Sequence, residues 1–493
     1  MLYQVVADHL ETFLERAQVD GRGLPGFVER ELRAFLRCGI KSYGFTRVYC
    51  DRCRREYALP FSCQTRGFCP SCCGRFMAAT ALDLVDHVLP RDAGYRQFVL
   101  TLPYSLRFRT AYDGRVQRTV IRGFIDTLRR WYERRGLELG VPDPHWGAVT
   151  VVQRVGSALQ VTPHPHTIAI DGVFSIDRRG LYARFRPLPA PSEAEIASLV
   201  STVADRVLRA LVRRRLIQVP GEEDAGPDPL DVREPAQAAC YAASVQGRIA
   251  FGPEAGSRIP RVGAPLGADR PRRPLTAESR GFNLHGATTV ERGDREGLRR
   301  LVKYITRPPL ADDRLSLTED GRVALELKTP SPWGASQVLF TKDAFLQHLC
   351  AMVPRPRRHR LLYAGILAPA ARHRRLVVPS PPSSAADHAP VPASGAPPQG
   401  SQPPDAPALT SDHRKAAQRT RFRRLLWAEL MRRSLGTDPL QCACGGRMRL
   451  ISIILRPEVV IAILRSLGLP VEPPRIRSSR GPPDSDLVEI PWS

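Results

Sequence analysis

Lysine is almost missing from this sequence, with five in 493 residues, and acidic side chains are outnumbered by basic ones, 49 to 73. The +24 excess is therefore mostly arginine, whose planar fork suits phosphate better than an ammonium does. A balance of this size argues for a polyanionic partner, nucleic acid before membrane surface. Arginine enrichment from a GC-rich genome, which also raises Ala, Gly and Pro, is the competing source of part of it. No apolar run approaches the roughly 20 residues of a membrane span. Nor is a secretory signal read in residues 1–24, where Asp8, Glu11, Glu15 and Arg16 leave no apolar core. These absences point to the cytoplasm and exclude a membrane partner. There, eleven cysteines suggest metal or reduced thiols rather than disulfides.

The length predicts more than one domain, and 43% hydrophobic content is enough to build real cores. Apolar residues near a 3–4 spacing (Leu10, Phe13, Leu14, then Phe27, Leu32, Phe35, Leu36) predict helices within 1–37. A helix over 76–89 ends the cysteine-rich stretch. A strand-like run at 95–108, a basic amphipathic helix at 117–136 and a hairpin over 147–174 follow. Ser192-x-x-Glu195 forms a capping box opening a helix to about 217. Residues 218–275 read as loop or insertion with a short helix around 236–245. A strand (282–291), a helix to 307 and strands around 322–341 complete a domain by about 375. Residues 377–411 are rich in Pro, Ser and Ala and cannot bury an apolar face, which predicts a disordered linker. A basic helix (413–434), a Cys-x-Cys-Gly-Gly knuckle and a short helix near 457–467 come last. The predicted domains are therefore 1–90, 91–375, a linker at 376–412 and a small basic module at 413–493.

Seven of the cysteines fall between Cys38 and Cys73. Cys50, Cys53, Cys69 and Cys72 form a C-x2-C-x15-C-x2-C arrangement, two knuckles that can converge on one closed, structural zinc site. Cys38, Cys63 and Cys73 are left over. Any of them could replace a named ligand or serve a second ion; spare buried thiols are the preferred reading. Arg, Tyr and Phe around the knuckles suit a nucleic-acid contact surface, although a purely scaffolding ribbon would also show solvated arginine. Cys442 and Cys444 offer two close thiols, read as a half-site or a structural turn rather than a complete site.

In "LQVTPHPHTIAI" Gln160, Thr162, His164, His166 and Ile168 share one strand face, because side chains alternate with period 2. His164 and His166 can converge on one divalent ion, and Gln160 has the parity of a third ligand. Such an open N/O site suits Mg²⁺ or Mn²⁺ bound to phosphate oxygens. The alternative is a pair of partly exposed polar strand residues. Further on, "DREGLRRLVKYITRPPL" reads as a helix stopped by Pro308-Pro309, with Tyr304 in its last turns. Arg300 and Arg307 flank Tyr304 on one face. Two guanidinium groups there would favour the phenolate and hold a phosphate; a tyrosine anchoring the helix by packing is the alternative.

Four motifs in order carry a resemblance: "CGIKSYGFTRVYCDRC…FSCQTRGFCPSC", the histidine pair followed by "IDGVF", "GFNLHG", and "YITRPPL". Over roughly residues 10–370 the chain resembles rolling-circle transposases of the insertion sequence 91 family and the related common-region elements. The resemblance implies an α+β fold: an antiparallel-sheet HUH nuclease core carrying His-hydrophobe-His, a tyrosine on a helix, and a zinc-ribbon-like N-terminal domain. It implies strand transfer of single-stranded DNA at element ends through a 5′-phosphotyrosine, in a nucleoid-associated protein. His164 and His166 would then be the metal ligands and Tyr304 the nucleophile. Two features depart from the pattern. Pro165 replaces the hydrophobe and Pro163 precedes the pair, so two missing N–H groups face one neighbouring strand, and the histidine strand would be bulged or unpaired on that side with its other side normally bonded. Arg300 stands where two-tyrosine members carry their first tyrosine, so the chain resembles the single-tyrosine branch. One phosphotyrosine would then be resolved by a 3′-hydroxyl or by a second subunit of a homo-oligomer, with Tyr241 a remote second nucleophile. The rival readings are a non-enzymatic zinc-ribbon DNA-binding protein, such as a decayed transposase kept as a repressor, and an RNA-binding or RNA-processing protein.

Overall fold

The computed structural model describes residues 1–19, 22–217, 227–263, 273–331, 334–379, 431–433, 438 and 440–479. The expected linker at 376–412 and basic helix at 413–434 thus lie outside the described residues, apart from 376–379 and 431–433. The N-terminal apolar spacing forms α1 (Leu2–Arg16) and α2 (Gly26–Phe35). β1 (Phe45–Cys50) and β2 (Glu56–Pro60) pair as a hairpin. α3 (Pro70–His87) starts earlier than its apolar pattern indicated, because Pro70 suits a first helical turn, where its missing N–H costs nothing. Cys72 and Cys73 therefore sit on a helix.

β3 (Tyr95–Thr101) stops short of the expected strand: Pro103 ends it and caps α4 (Tyr104–Tyr112). α5 (Gly114–Glu138) follows, then β4 (Gly147–Val155), β5 (Val161–Ile170) and the pair β6 (Gly172–Ile176) and β7 (Ala183–Pro187). α6 (Glu193–Arg213) begins with the full Ser192/Glu195 capping box. α7 (Pro229–Arg233), α8 (Pro235–Gln246) and β8 (Arg261–Gly263) occupy the region read as an insertion. β9 (Thr276–Ser279), β10 (Phe282–His285), β11 (Thr289–Val290) and α9 (Arg295–Thr306) come next. β12 (Leu315–Leu317), β13 (Val323–Glu326), β14 (Ala335–Phe340), α10 (Lys342–Met352), β15 (Leu361–Gly365) and α11 (Arg374–Val377) precede the C-terminal β16 (Met448–Ile454) and α12 (Pro457–Ser466).

The fold is mixed α and β with antiparallel sheets. The largest runs β15-β4-β5-β3-β10-β9, with β11 also on β3. Alternation along its strands gives it two buried faces. Phe98, Leu100, Ala169, Phe282 and Leu284 pack toward α5 and α6, which approach closely because a Cβ on Gly123 would meet Val207 at 2.7 Å. Val149, Val151, Ile168 and Ile170 pack on the opposite face with α3 and α9. One polar network pins β3 to this frame. Arg96 donates to both carboxylate oxygens of Asp171 at 3.1 and 2.9 Å and to the Gly286 carbonyl at 2.9 Å. The Tyr132 hydroxyl of α5 donates to the same carboxylate at 2.9 Å.

A second core joins α1, α2, α8 and α10 to the sheet β12-β13-β14-β8. At its centre His348 is fully buried; its Nδ1 donates to the Ala344 carbonyl at 2.7 Å and its Nε2 has no partner among the described residues. Burial lowers its pKa to about 4. Since the unfolded imidazole takes a proton below about pH 6.5, stability is complete above that value and lost as pH falls toward 4. About 2 kcal/mol should be gone at pH 5. Denaturant unfolding at pH 7 and 5 checks this, and the loss should be smaller in His348→Gln.

Among the described residues no helix is long and apolar enough to cross a membrane. β16 adds to the N-terminal hairpin in the order β16-β1-β2, and Val460 and Leu464 of α12 bury against Phe45.

Candidate active site

β5 is an interior strand whose even residues face α9. This puts His164 and His166 side by side, ring centroids 5.0 Å apart, at one end of that buried face. Pairing with β3 reaches only to His166, whereas pairing with β4 continues past His164. Pro163 and Pro165 thus lie where β5 has β4 alone as a neighbour, and the two missing donors do not break the sheet.

Both imidazoles are held in a way that suits ligation. Nδ1 of His164 donates to the Thr162 carbonyl at 2.5 Å, which leaves its Nε2 lone pair free. Nδ1 of His166 lies 2.7 Å from the Gln97 side-chain amide. With that amide turned so that its oxygen accepts the Nδ1 proton, His166 too presents a bare Nε2. This nitrogen is buried and has no partner among the described residues, which leaves it open to a ligand. Burial lowers the pKa of His164; burial, then His164 and Arg307, lower that of His166 to about 3. Neutral imidazole is the form that binds metal.

α9 brings the tyrosine to this pair. The Asp294 side chain accepts the Gly297 N–H at 2.7 Å to cap it, and Leu298, Leu301, Val302 and Ile305 bury its inner face. Its C-terminal end is tied down by the Gln153 amide, which donates to the Ile305 carbonyl at 2.9 Å. Tyr304 points away from the core, is 47% exposed, and sets its ring edge-on to His166, centroids 6.1 Å apart at 77°. The Arg307 guanidinium covers the Tyr304 ring at 4.6 Å, stacked on its face. Arg300 lines the same cavity of about 750 Å³. The structure therefore gathers His164, His166, Tyr304, Arg300 and Arg307 in one place.

Gln160 does not join them. Parity puts it on the histidine face, but four residues of strand amount to about 13 Å; it lies in the β4–β5 turn, beside Gly247. Polar groups that do line the cavity come from neighbouring strands, among them Gln153 opposite His164, Gln97, Asn283 and His285. Val99 pairs with His166 on one side and His285 on the other, so the two histidines stand two strands apart, about 10 Å. Sequence reasoning missed Gln97 and His285. The buried Phe282 and Leu284 signalled that His285 faces the other way; only the register says what it faces. Tyr241 is wholly buried in the second core, with Arg154 donating to its hydroxyl at 3.3 Å, and it does not line the cavity that holds Tyr304 and the histidines.

A second cavity of about 510 Å³ adjoins the first through Tyr304 and Arg307. Among the described residues, eight arginines and Lys328 line it against a single carboxylate, Asp113. Several of these guanidiniums donate to carbonyls, such as Arg66 to Arg358 and Arg360 to Arg66, which fixes them without neutralising their charge.

The cysteines are arranged differently from the expected set. Cys50, Cys53, Cys69 and Cys72 do not meet. Instead Cys69 and Cys72 converge with Cys38 and Cys63, and Cys50 and Cys53 with Cys442 and Cys444. Sulfur–sulfur distances of 3.4 to 3.9 Å in the first cluster match the separation of about 3.8 Å between ligands of a tetrahedral Zn–S site. The reason is directional: α3 carries Cys69 and Cys72 toward the loops around Cys38 and Cys63, whereas β1 carries Cys50 to the edge where β16 pairs. Cys38 and Cys63, read as spare, are thus in the first cluster. Cys73 stays outside it, and burial pushes its thiol up to about 11.

No individually curated protein and no solved structure matches the chain. Two family models do. Residues 147–375, which hold the histidine pair and Tyr304, match the family described as "Putative transposase". Residues 5–102, which hold the whole first cysteine cluster, match the transposase zinc-binding domain of the insertion sequence 91 type. With both matches in the order of the resemblance, and a zinc-binding domain whose thiols suit a structural ion, the chain is similar to putative transposases over residues 147–375 and to the insertion sequence 91-type zinc-binding domain over residues 5–102.

Proposed function

We propose that this chain is a transposase that nicks and rejoins single-stranded DNA, with Tyr304 as nucleophile and His164 and His166 as ligands of Mg²⁺ or Mn²⁺. The observation that carries the reading is the edge-on placement of Tyr304 against His166 across one cavity. His285 lines the same cavity from two strands away, and Gln97 orients His166 from behind. A divalent ion bound there supplies Lewis-acid polarisation of the scissile phosphodiester. The Tyr304 oxygen attacks phosphorus in line as its proton is lost. The bond to the 3′ oxygen breaks, giving a free 3′-hydroxyl and a 5′-phosphotyrosine. Arg300 and Arg307 hold the phosphate. A hydroxyl at the target then reverses the chemistry. With Arg300 in place of a second tyrosine, one phosphotyrosine forms per subunit, and resolution falls to that hydroxyl or to a second copy of the chain.

The adjoining arginine-lined cavity supports an extended single strand running from Tyr304 toward Arg66 and Phe76 beside the first thiol cluster. The test is to incubate the protein with labelled single strands from the flanking element ends and a divalent ion, then look for a covalent adduct. If no ion yields one, the non-enzymatic DNA-binding reading replaces this proposal.

Affinity for those strands should fall with salt by a log–log slope of about −0.7 per phosphate contact. Arg273, exposed and lining both cavities, is a suitable probe. In filter-binding titrations Arg273→Ala should flatten the slope by about 0.7; an unchanged slope removes this groove from the strand's path.

A further inference from the structure

Outside the first thiol cluster of the zinc-binding domain matched over residues 5–102, two more of its thiols, Cys50 and Cys53, meet two from the C-terminal segment. We propose that Cys50, Cys53, Cys442 and Cys444 bind a second structural zinc ion, which clasps the two ends of the chain into one folded unit. The Cys50 and Cys444 sulfurs are 3.5 Å apart across 394 residues, and those of Cys53 and Cys442 are 3.5 Å apart across 389. These distances are far too long for disulfides, which need about 2.05 Å. They approach the separation of about 3.8 Å set by Zn–S bonds of 2.3 Å at tetrahedral angles. All four sulfurs lie within 4.8 Å of one another, in a small cluster with Val48, Met448 and the edge of Tyr57. Uncoordinated thiols so placed would have only weak S–H contacts to offset the loss of water.

The backbone is built for the same purpose. Cys50 and Cys53 bracket the tight turn after β1, and Cys442 to Gly446 form a second turn, closed by Gly445 N–H to the Cys442 carbonyl at 2.8 Å and Cys442 N–H to the Gly446 carbonyl at 2.8 Å. Gly445 has a positive φ of 80°, and a Cβ on Gly446 would meet the Cys50 sulfur at 2.8 Å. These two glycines let the second turn close against the first, as zinc knuckles require. From there β16 pairs along β1 with Cys50 opposite Met448, and Arg477 reaches α1 through its ion pair with Asp8 at 2.7 Å. Without the ion, a single edge strand and a short helix would have to hold the segment. With it, the cross-link restricts the unfolded chain and adds metal–thiolate binding energy to folding.

Zinc per chain in the freshly purified full-length protein measures this directly. The wild type should hold two ions and the double variant Cys442→Ser/Cys444→Ser one, a halving. Cobalt titration of the unmodified chain provides a readout free of folding effects: thiolate-to-cobalt absorption should rise over two equivalents. A wild type with one zinc, unchanged in the double variant, together with cobalt saturation at one equivalent, would overturn the proposal.

Discussion

Tyr304→Phe should reduce the covalent adduct with single-stranded DNA to background, a loss of roughly 10⁴-fold or more if Tyr304 is the nucleophile. Folding and DNA binding should remain near wild type, because the ring's contacts with His166 and Arg307 survive and only a solvent-facing hydroxyl is lost. Denaturing gels of labelled strand read the adduct, and a retained 5′ adduct in the variant refutes the assignment. The histidines should fail differently. His164→Ala or His166→Ala weakens ion binding, so excess Mn²⁺ should restore part of the activity of either, and none of that of Tyr304→Phe. Tyr241→Phe should cleave normally, since its buried hydroxyl meets only Arg154.

Asp171→Ala should cost about 3–5 kcal/mol of stability, read as a shift in the denaturant midpoint. The carboxylate neutralises Arg96, whose side chain is 5% exposed, and it also accepts the Tyr132 hydroxyl. Its removal strands a guanidinium that keeps one carbonyl partner, Gly286. Tyr132→Phe, which leaves the ion pair intact, should cost only about 1 kcal/mol. Because Arg96 lies on β3, beside the strand that carries the histidines, the Asp171 variant should lose cleavage at temperatures where Tyr132→Phe retains it. Equal losses in the two variants would mean that the ion pair is not what holds β3.

The local grammar of this chain was legible from its residues. Alternation placed His164 and His166 on one face, the apolar spacing of Leu298, Leu301, Val302 and Ile305 turned Tyr304 outward, and Ser192 with Glu195 marked a helix start. Each is a matter of a few residues, where helix and strand periods fix direction. The knuckles were likewise legible as knuckles, since two thiols separated by two residues can share an ion wherever they fold. Which knuckle meets which was not. Spacing joined Cys50 and Cys53 to the nearer Cys69 and Cys72, whereas the β1–β16 register joins them to Cys442 and Cys444. Gln160 shows the same limit, for its parity was right and its distance was not, while Gln97 reaches His166 from another strand and His285 lines the same cavity from a further one. Sequence order carries direction over one or two turns. Proximity between elements hundreds of residues apart comes only from strand register and core packing, and these the tertiary structure alone decided.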